Sequence, residues 1–314
     1  MVKILFFGTD SISKTYLEEL YKRNYELFVV TMPDKPALRG HRLTPPSVKI
    51  YVTENNIKFI QPEIFTPVVT ETIKNFGADI GIAVAYGKVI PKAVFNLPHY
   101  GIFNIHFSLL PKYRGAAPVQ HALRNGETET GVTSFYIEEK LDTGYTIIQK
   151  KLNIDTKDNA KTLSNKLVPL GIEVMNKTLY LLLQNRKTKL VSQIGEPSFA
   201  PVLKKTEGLV DWNKTADEIY NQFRGLYLWP GIYSIVSKGK FAGKRIKFVD
   251  IEVFEKNYFN KDHGIVFSIE KNRGFTVLCN IGKILITKIQ PENKPIMSAW
   301  AFIQGRQLAT GDRF

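Results

Sequence analysis

The first half of the chain alternates short, nearly unbroken apolar runs with helix-patterned stretches, and that rhythm leaves few folds open. Residues 3–7 read as a buried strand that enters a Gly8-Thr9-Asp10-Ser11 turn. A helix follows through Tyr16-Leu17-Glu18-Glu19-Leu20, with Leu17 and Leu20 on one face. Further strands are expected at 27–30, 57–60, 80–85, 102–106 and 132–137, with helices such as 69–76 between them. Strands this apolar are covered on both faces, so the expectation is an α/β domain with a largely parallel sheet. Ligands of such sheets bind beyond the carboxyl ends of the strands.

The pattern changes after a long helix expected over 162–185. Arg186-Lys187-Thr188-Lys189 closes that helix, where cations suit the negative end of the helix dipole. Two prolines and a glycine in Gly195-Glu196-Pro197-Ser198-Phe199-Ala200-Pro201 read as a linker. Short strand candidates then recur at 233–236, 245–249, 264–269, 275–278 and 284–289, the number expected of a small OB-like β-barrel. The division expected is an α/β domain at 1–189, a linker at 190–206 and a barrel at 207–314. Trp212 and Trp229 read as packing residues of the barrel.

Net charge is +14 over 314 residues, and residues 203–314 hold 18 Lys and Arg against 11 Asp and Glu, half of that excess. Charge of this size favours a polyanionic partner. The single cysteine, Cys279, excludes an intramolecular disulfide and sits in an apolar run that reads as a buried strand thiol. The N-terminus lacks the apolar core and cleavage site of a signal peptide, and no apolar run approaches the roughly 18 residues that span a bilayer. The expectation is a cytoplasmic protein without membrane contact. The five histidines lack zinc-site spacing, so no metal is expected.

The chemistry concentrates in Phe103-Asn104-Ile105-His106-Phe107-Ser108-Leu109-Leu110-Pro111-Lys112-Tyr113-Arg114-Gly115-Ala116-Ala117-Pro118. Asn104 and His106 are two apart in a strand, so both face one way at its carboxyl end. A neutral amide and an imidazole there suit stabilisation of an oxyanion at an acyl carbon. Leu141-Asp142-Thr143-Gly144 follows the next strand and supplies a carboxylate, which beside a histidine favours the charged ring.

The run from Asn104 to Pro118, followed by Asp142-Thr143-Gly144, resembles the signature of the formyltransferases that use 10-formyltetrahydrofolate. The resemblance implies a catalytic trio at Asn104, His106 and Asp142. It implies a folate pocket lined by Ala85, Tyr86 and Gly87 with Ser108, Leu109, Leu110 and Pro111. It implies a Rossmann-like domain that does not bind NAD, consistent with Gly8-Thr9-Asp10-Ser11, which lacks the second glycine of the dinucleotide fingerprint.

Within that family, Pro33-Asp34-Lys35-Pro36-Ala37-Leu38-Arg39-Gly40-His41-Arg42-Leu43 resembles the tRNA-facing loop of the branch that formylates initiator methionyl-tRNA. Lys35, Arg39 and Arg42 are its candidate tRNA contacts. Phe199–Lys205, Phe223–Gly231 and Gln290–Ala299 resemble the linker, barrel opening and closing motif of the same branch, so the likeness covers nearly the whole chain. It implies a monomer. The alternative acceptor is a UDP-linked amino sugar. Leu226-Tyr227-Leu228 departs from the Asn-Pro pair frequent before Trp-Pro-Gly.

Overall fold

The computed structural model describes residues 1–36, 43–184, 191–259, 261–305 and 307–314. Arg39 and Arg42 lie outside the described residues. The elements run β1 (Lys3–Gly8), α1 (Ser11–Lys22), β2 (Glu26–Val30), β3 (Lys35–Pro36), β4 (Leu43–Thr44), α2 (Ser47–Glu54), β5 (Lys58–Ile60), α3 (Pro67–Phe76) and β6 (Ile80–Val84). They continue with α4 (Lys92–Phe95), β7 (Ile102–His106), α5 (Pro118–Arg124), β8 (Glu129–Tyr136), β9 (Thr146–Asn153) and α6 (Ala160–Leu183).

These nine strands form a seven-stranded sheet in the order β5-β2-β1-β6-β7-β8-β9 and a separate β3–β4 hairpin. From β5 to β7 the pairing is parallel, as the unbroken apolar runs require; β8 and β9 then add antiparallel. The central strand is inaccessible on both faces: Ile4, Leu5, Phe6 and Phe7 are all fully buried. Asp10 caps α1 by accepting the Ser13 N–H at 2.9 Å, which fixes where the β1 turn becomes helix. β9 was not anticipated. Its Thr-Ile-Ile-Gln-Lys-Lys-Leu-Asn sequence is that of an edge strand, half exposed along its length, and carries no apolar run.

The remaining elements are α7 (Ala216–Gly225), β10 (Ile232–Ile235), β11 (Arg245–Phe259), β12 (Val266–Glu270), β13 (Gly274–Leu278), β14 (Ile281–Pro291), β15 (Met297–Ser298) and α8 (Ala299–Gln304). They build a six-stranded antiparallel sheet, β10-β11-β14-β13-β12, with β15 on β14. Tyr258 of β11 meets Phe267 of β12 at 5.5 Å between ring centroids, so the sheet is curled. Trp212 is buried and stacked on Phe314, whereas Trp229 is 48% exposed, so the packing role expected of both holds for Trp212 alone. Cys279 is buried as expected, and burial pushes its thiol up to about 12.

Contacts divide the chain into two compact units. One comprises residues 1–118, 129–153 and 165–201; the other comprises 119–128, 154–164 and 202–314. Arg224 shows why two stretches from the first half join the second unit. Its Nη1 donates to the carbonyls of Asp155, Thr156 and Asp158, and its Nη2 donates to Asn221 at 2.7 Å. Arg124 is likewise ion-paired to Glu207.

Candidate active site

The carboxyl ends of β6 and β7 and the loop after β8 meet at one place in the first unit. Asn104 pairs with Ala83 of β6 and Phe135 of β8, and His106 with Thr133 of β8. Both side chains therefore leave the same face of β7, as their spacing required. His106 is 6% exposed and Asp142 8%, with Nδ1 of the ring 3.8 Å from Oδ2 of the carboxylate. The other ring nitrogen, Nε2, lies 2.9 Å from the Tyr113 carbonyl. A carbonyl only accepts, so this contact places a proton on Nε2 and leaves Nδ1 facing Asp142.

Asp142 is held from both sides. Its Oδ2 accepts the Gly115 N–H at 2.7 Å, and its backbone carbonyl accepts Gln193 Nε2 at 2.9 Å. Its Oδ1 takes no hydrogen bond from the described residues. Nor does the half-buried Asn104 amide bond to any described residue, so donor and acceptor both remain available to a ligand.

The loop 107–117 is fixed by groups that sequence reasoning did not single out. Thr133 Oγ1 donates to the Ser108 carbonyl at 2.7 Å and accepts the Leu110 N–H at 3.3 Å. Gln149 donates to the Leu110 carbonyl at 3.0 Å. Residues 193–200 strap the loop from outside. Ser198 Oγ accepts the Tyr113 N–H at 2.9 Å, the Ala200 N–H donates to Arg114 at 2.7 Å, and Gln193 Oε1 accepts from Arg114 at 2.6 Å. A segment that reads as a linker thus braces the site. No local signal could show this, because every partner is distant in sequence. Gly115 permits the strap: at φ +126° it lies so close that a Cβ would stand 2.5 Å from the Ala200 carbonyl.

Backbone strain marks the same region. Seven described non-glycine residues have positive φ; four are asparagines, which tolerate it, and the others are Ala85, Tyr113 and Asp142. Strained backbone gathers where surrounding structure over-determines it, often at functional sites. The candidate folate residues divide by exposure. Ala85 and Gly87 are exposed at the end of β6 and Leu109 is half-buried, while Tyr86, Ser108, Leu110 and Pro111 are buried. Tyr86 sits edge-on to Phe7 in an apolar cluster, with no hydrogen-bond partner for its hydroxyl among the described residues, and burial pushes that hydroxyl up to about 12. Open backbone at Ala85 and Gly87 thus follows β6, the strand that pairs with Asn104 of β7. Lys35 opens the β3–β4 hairpin, exposed. Among the described residues, no group of three or more His, Cys, Asp or Glu is gathered to hold a metal.

Comparison with known proteins gives the family. The formyl transferase family model matches residues 2–179, and the formyl transferase C-terminal domain matches residues 202–307. The chain belongs to the formyl transferase family. It is 68% identical over 313 residues to the methionyl-tRNA formyltransferase of Endomicrobium trichonymphae, covering 100% of both chains. It is 40% identical to that of Thermodesulfovibrio yellowstonii, over 98% of this chain and 97% of the relative. Two solved structures resemble it in fold at lower identity. An N-formyltransferase from Helicobacter canadensis, in complex with folinic acid and dTDP-3-aminofucose, has TM-score 0.66 at 21% identity, over 91% of this chain and 99% of that one. HypX from Aquifex aeolicus, in complex with tetrahydrofolic acid, has TM-score 0.64 at 18% identity, over 97% of this chain and 47% of that one.

Proposed function

We propose that the chain transfers the formyl group of 10-formyltetrahydrofolate to the α-amino group of initiator methionyl-tRNA. End-to-end identity with methionyl-tRNA formyltransferases carries this reading. The unpartnered Asn104 amide beside the buried His106–Asp142 pair supplies its chemistry.

The donor, when bound, supplies an electrophilic formyl carbon, and the exposed backbone of Ala85 and Gly87 with Leu109 would hold its ring. Asn104 offers its amide N–H to the oxygen that turns negative as the amine attacks. The Oδ1 of Asp142, which takes no hydrogen bond from the described residues, accepts the proton the amine must lose, directly or through a water, and returns it to N10 as the bond from N10 to the formyl carbon breaks and tetrahydrofolate leaves. His106 faces Asp142 across 3.8 Å and is oriented by its bond to Tyr113, so a proton held on Nδ1 would offset the carboxylate charge. Lys35, Arg39 and Arg42 are the tRNA contacts on this reading. The residues 1–189, 190–206 and 207–314 then serve as catalytic domain, linker and tRNA-binding domain.

We read the working form as a monomer in the cytoplasm without membrane contact. No described helix is long and apolar enough to cross a membrane.

The test offers 10-formyltetrahydrofolate with charged initiator methionyl-tRNA, a UDP-linked amino sugar and water as competing acceptors. Formyl-methionyl-tRNA is the product expected. Formylated sugar, or formate alone, would overturn the tRNA half of the reading.

A further inference from the structure

The second unit holds a cavity of about 520 Å³ that shares no residue with the strand-end site. Phe241, Phe302, Met297 and Pro291 form its apolar walls, while Lys244 and Lys294 stand at its polar side with Glu292. Phe302 is buried and Phe241 half-buried, their rings 5.2 Å apart at 87°. The side chains of Lys244, Lys294 and Glu292 are all exposed, and none pairs with any described residue. The volume lies within the ~300–1,000 Å³ of pockets that enclose small ligands.

Aromatic walls and unpaired cations at one mouth match one ligand chemistry, a planar base carrying phosphate. We propose that this cavity takes one unstacked nucleotide of the RNA substrate, with its base against Phe241 and the flanking phosphates on Lys244 and Lys294. Glu292, which also lines the cavity, would accept an exocyclic amine of the base and repel a phosphate. A strand rather than a free nucleotide is favoured by continuity of charge. Lys240 and Arg245 flank Phe241 and Lys244 along the chain, both exposed, and residues 203–314 hold half of the net +14. Stacking of a base on an aromatic side chain is sequence-tolerant, and backbone phosphates set the salt dependence. The inference rests on the reading that the chain acts on methionyl-tRNA.

The experiment uses the full chain and measures its Kd for uncharged initiator tRNA over a range of salt, together with steady-state formylation. Phe241→Ala should weaken tRNA binding about tenfold with an unchanged salt slope, and Phe241→Trp should restore it. Lys244→Ala with Lys294→Ala should flatten the slope of log affinity against log salt by about 1.5. At saturating tRNA, kcat and the KM for folate should stay at the level of the unaltered protein. Folded variants with unchanged Kd and slope overturn the proposal. So does adenosine monophosphate, used as a free probe, if it binds in a Phe241-dependent way while tRNA affinity ignores the substitution. Failure of the unaltered protein to formylate the charged tRNA would count against the functional reading instead, and the Kd and slope would still decide the cavity.

Discussion

The carbonyl of Tyr113 lies 2.9 Å from His106 Nε2, which turns the opposite ring nitrogen toward Asp142 at 3.8 Å. Tyr113 reaches that position only in a left-handed conformation, φ +61°, held by the Ser198 hydroxyl on its N–H. The orientation of the histidine is thus set by a strap segment 85 residues further along the chain from Tyr113.

Removing the charge of Asp142 while keeping its shape tests its role as proton acceptor. Asp142→Asn can still accept the Gly115 N–H, so folding and substrate affinity should hold. Single-turnover formylation should slow by roughly 10²–10⁴-fold. A rate close to that of the unaltered protein would assign the proton to another group.

Asn104→Ala removes the one amide at the site with no bond inside the described protein. Its kcat should drop by about 10²–10³-fold with little change in either KM, because the oxygen it serves is negative only in the transition state. A rise in KM with kcat intact would make Asn104 a binding group.

Gly115→Ala should cost about 1–3 kcal/mol of stability, since a side chain is strained at φ +126° and would press on the Ala200 carbonyl. Urea denaturation reads this as a lower midpoint at unchanged slope. An unshifted midpoint would mean that the strap yields without cost.

Asp34, at the foot of the β3–β4 hairpin, accepts from Gln61 at 2.9 Å and Lys49 at 2.6 Å. The Gln61 bond, then the Lys49 bond, holds its carboxyl below the usual carboxylate range. A group depressed in the folded state contributes stability above its unfolded value, about 3.9 for Asp, and loses that contribution as pH falls through the folded value. Asp34→Asn should therefore be less stable than the unaltered protein near pH 7, with the gap closing as pH drops below about 4. A gap that stays constant with pH would show that the carboxylate charge contributes nothing.

Much of this was legible in the chain itself. Residues 102–106 were read as a strand with Asn104 and His106 on one face, and β7 spans Ile102–His106. Local periodicity suffices there, because a strand apolar on both sides has one place in a sheet. The sequence pattern supports the long β11 only as far as 249, since its exposed end, Phe254 to Phe259, mixes charge and aromatic residues without alternation. β9 escaped for the same reason.

By itself, the sequence determined the alternation of buried strands and helices in the first half, the excess of positive charge and the identity of the groups that can donate, accept and carry a proton, because these depend on neighbours a few residues apart. Only the tertiary structure decided that Gln193 and Ser198 brace the site from a segment read as a linker, that the Nε2 of His106 faces a backbone carbonyl, and that Phe241, Lys244, Lys294 and Phe302 close around one cavity. The braces and the cavity join residues far apart in the chain, and the His106–Tyr113 contact, though it spans seven residues, depends on the distant Ser198 hydroxyl that holds Tyr113. Such contacts form when the whole core packs, and no local pattern encodes them.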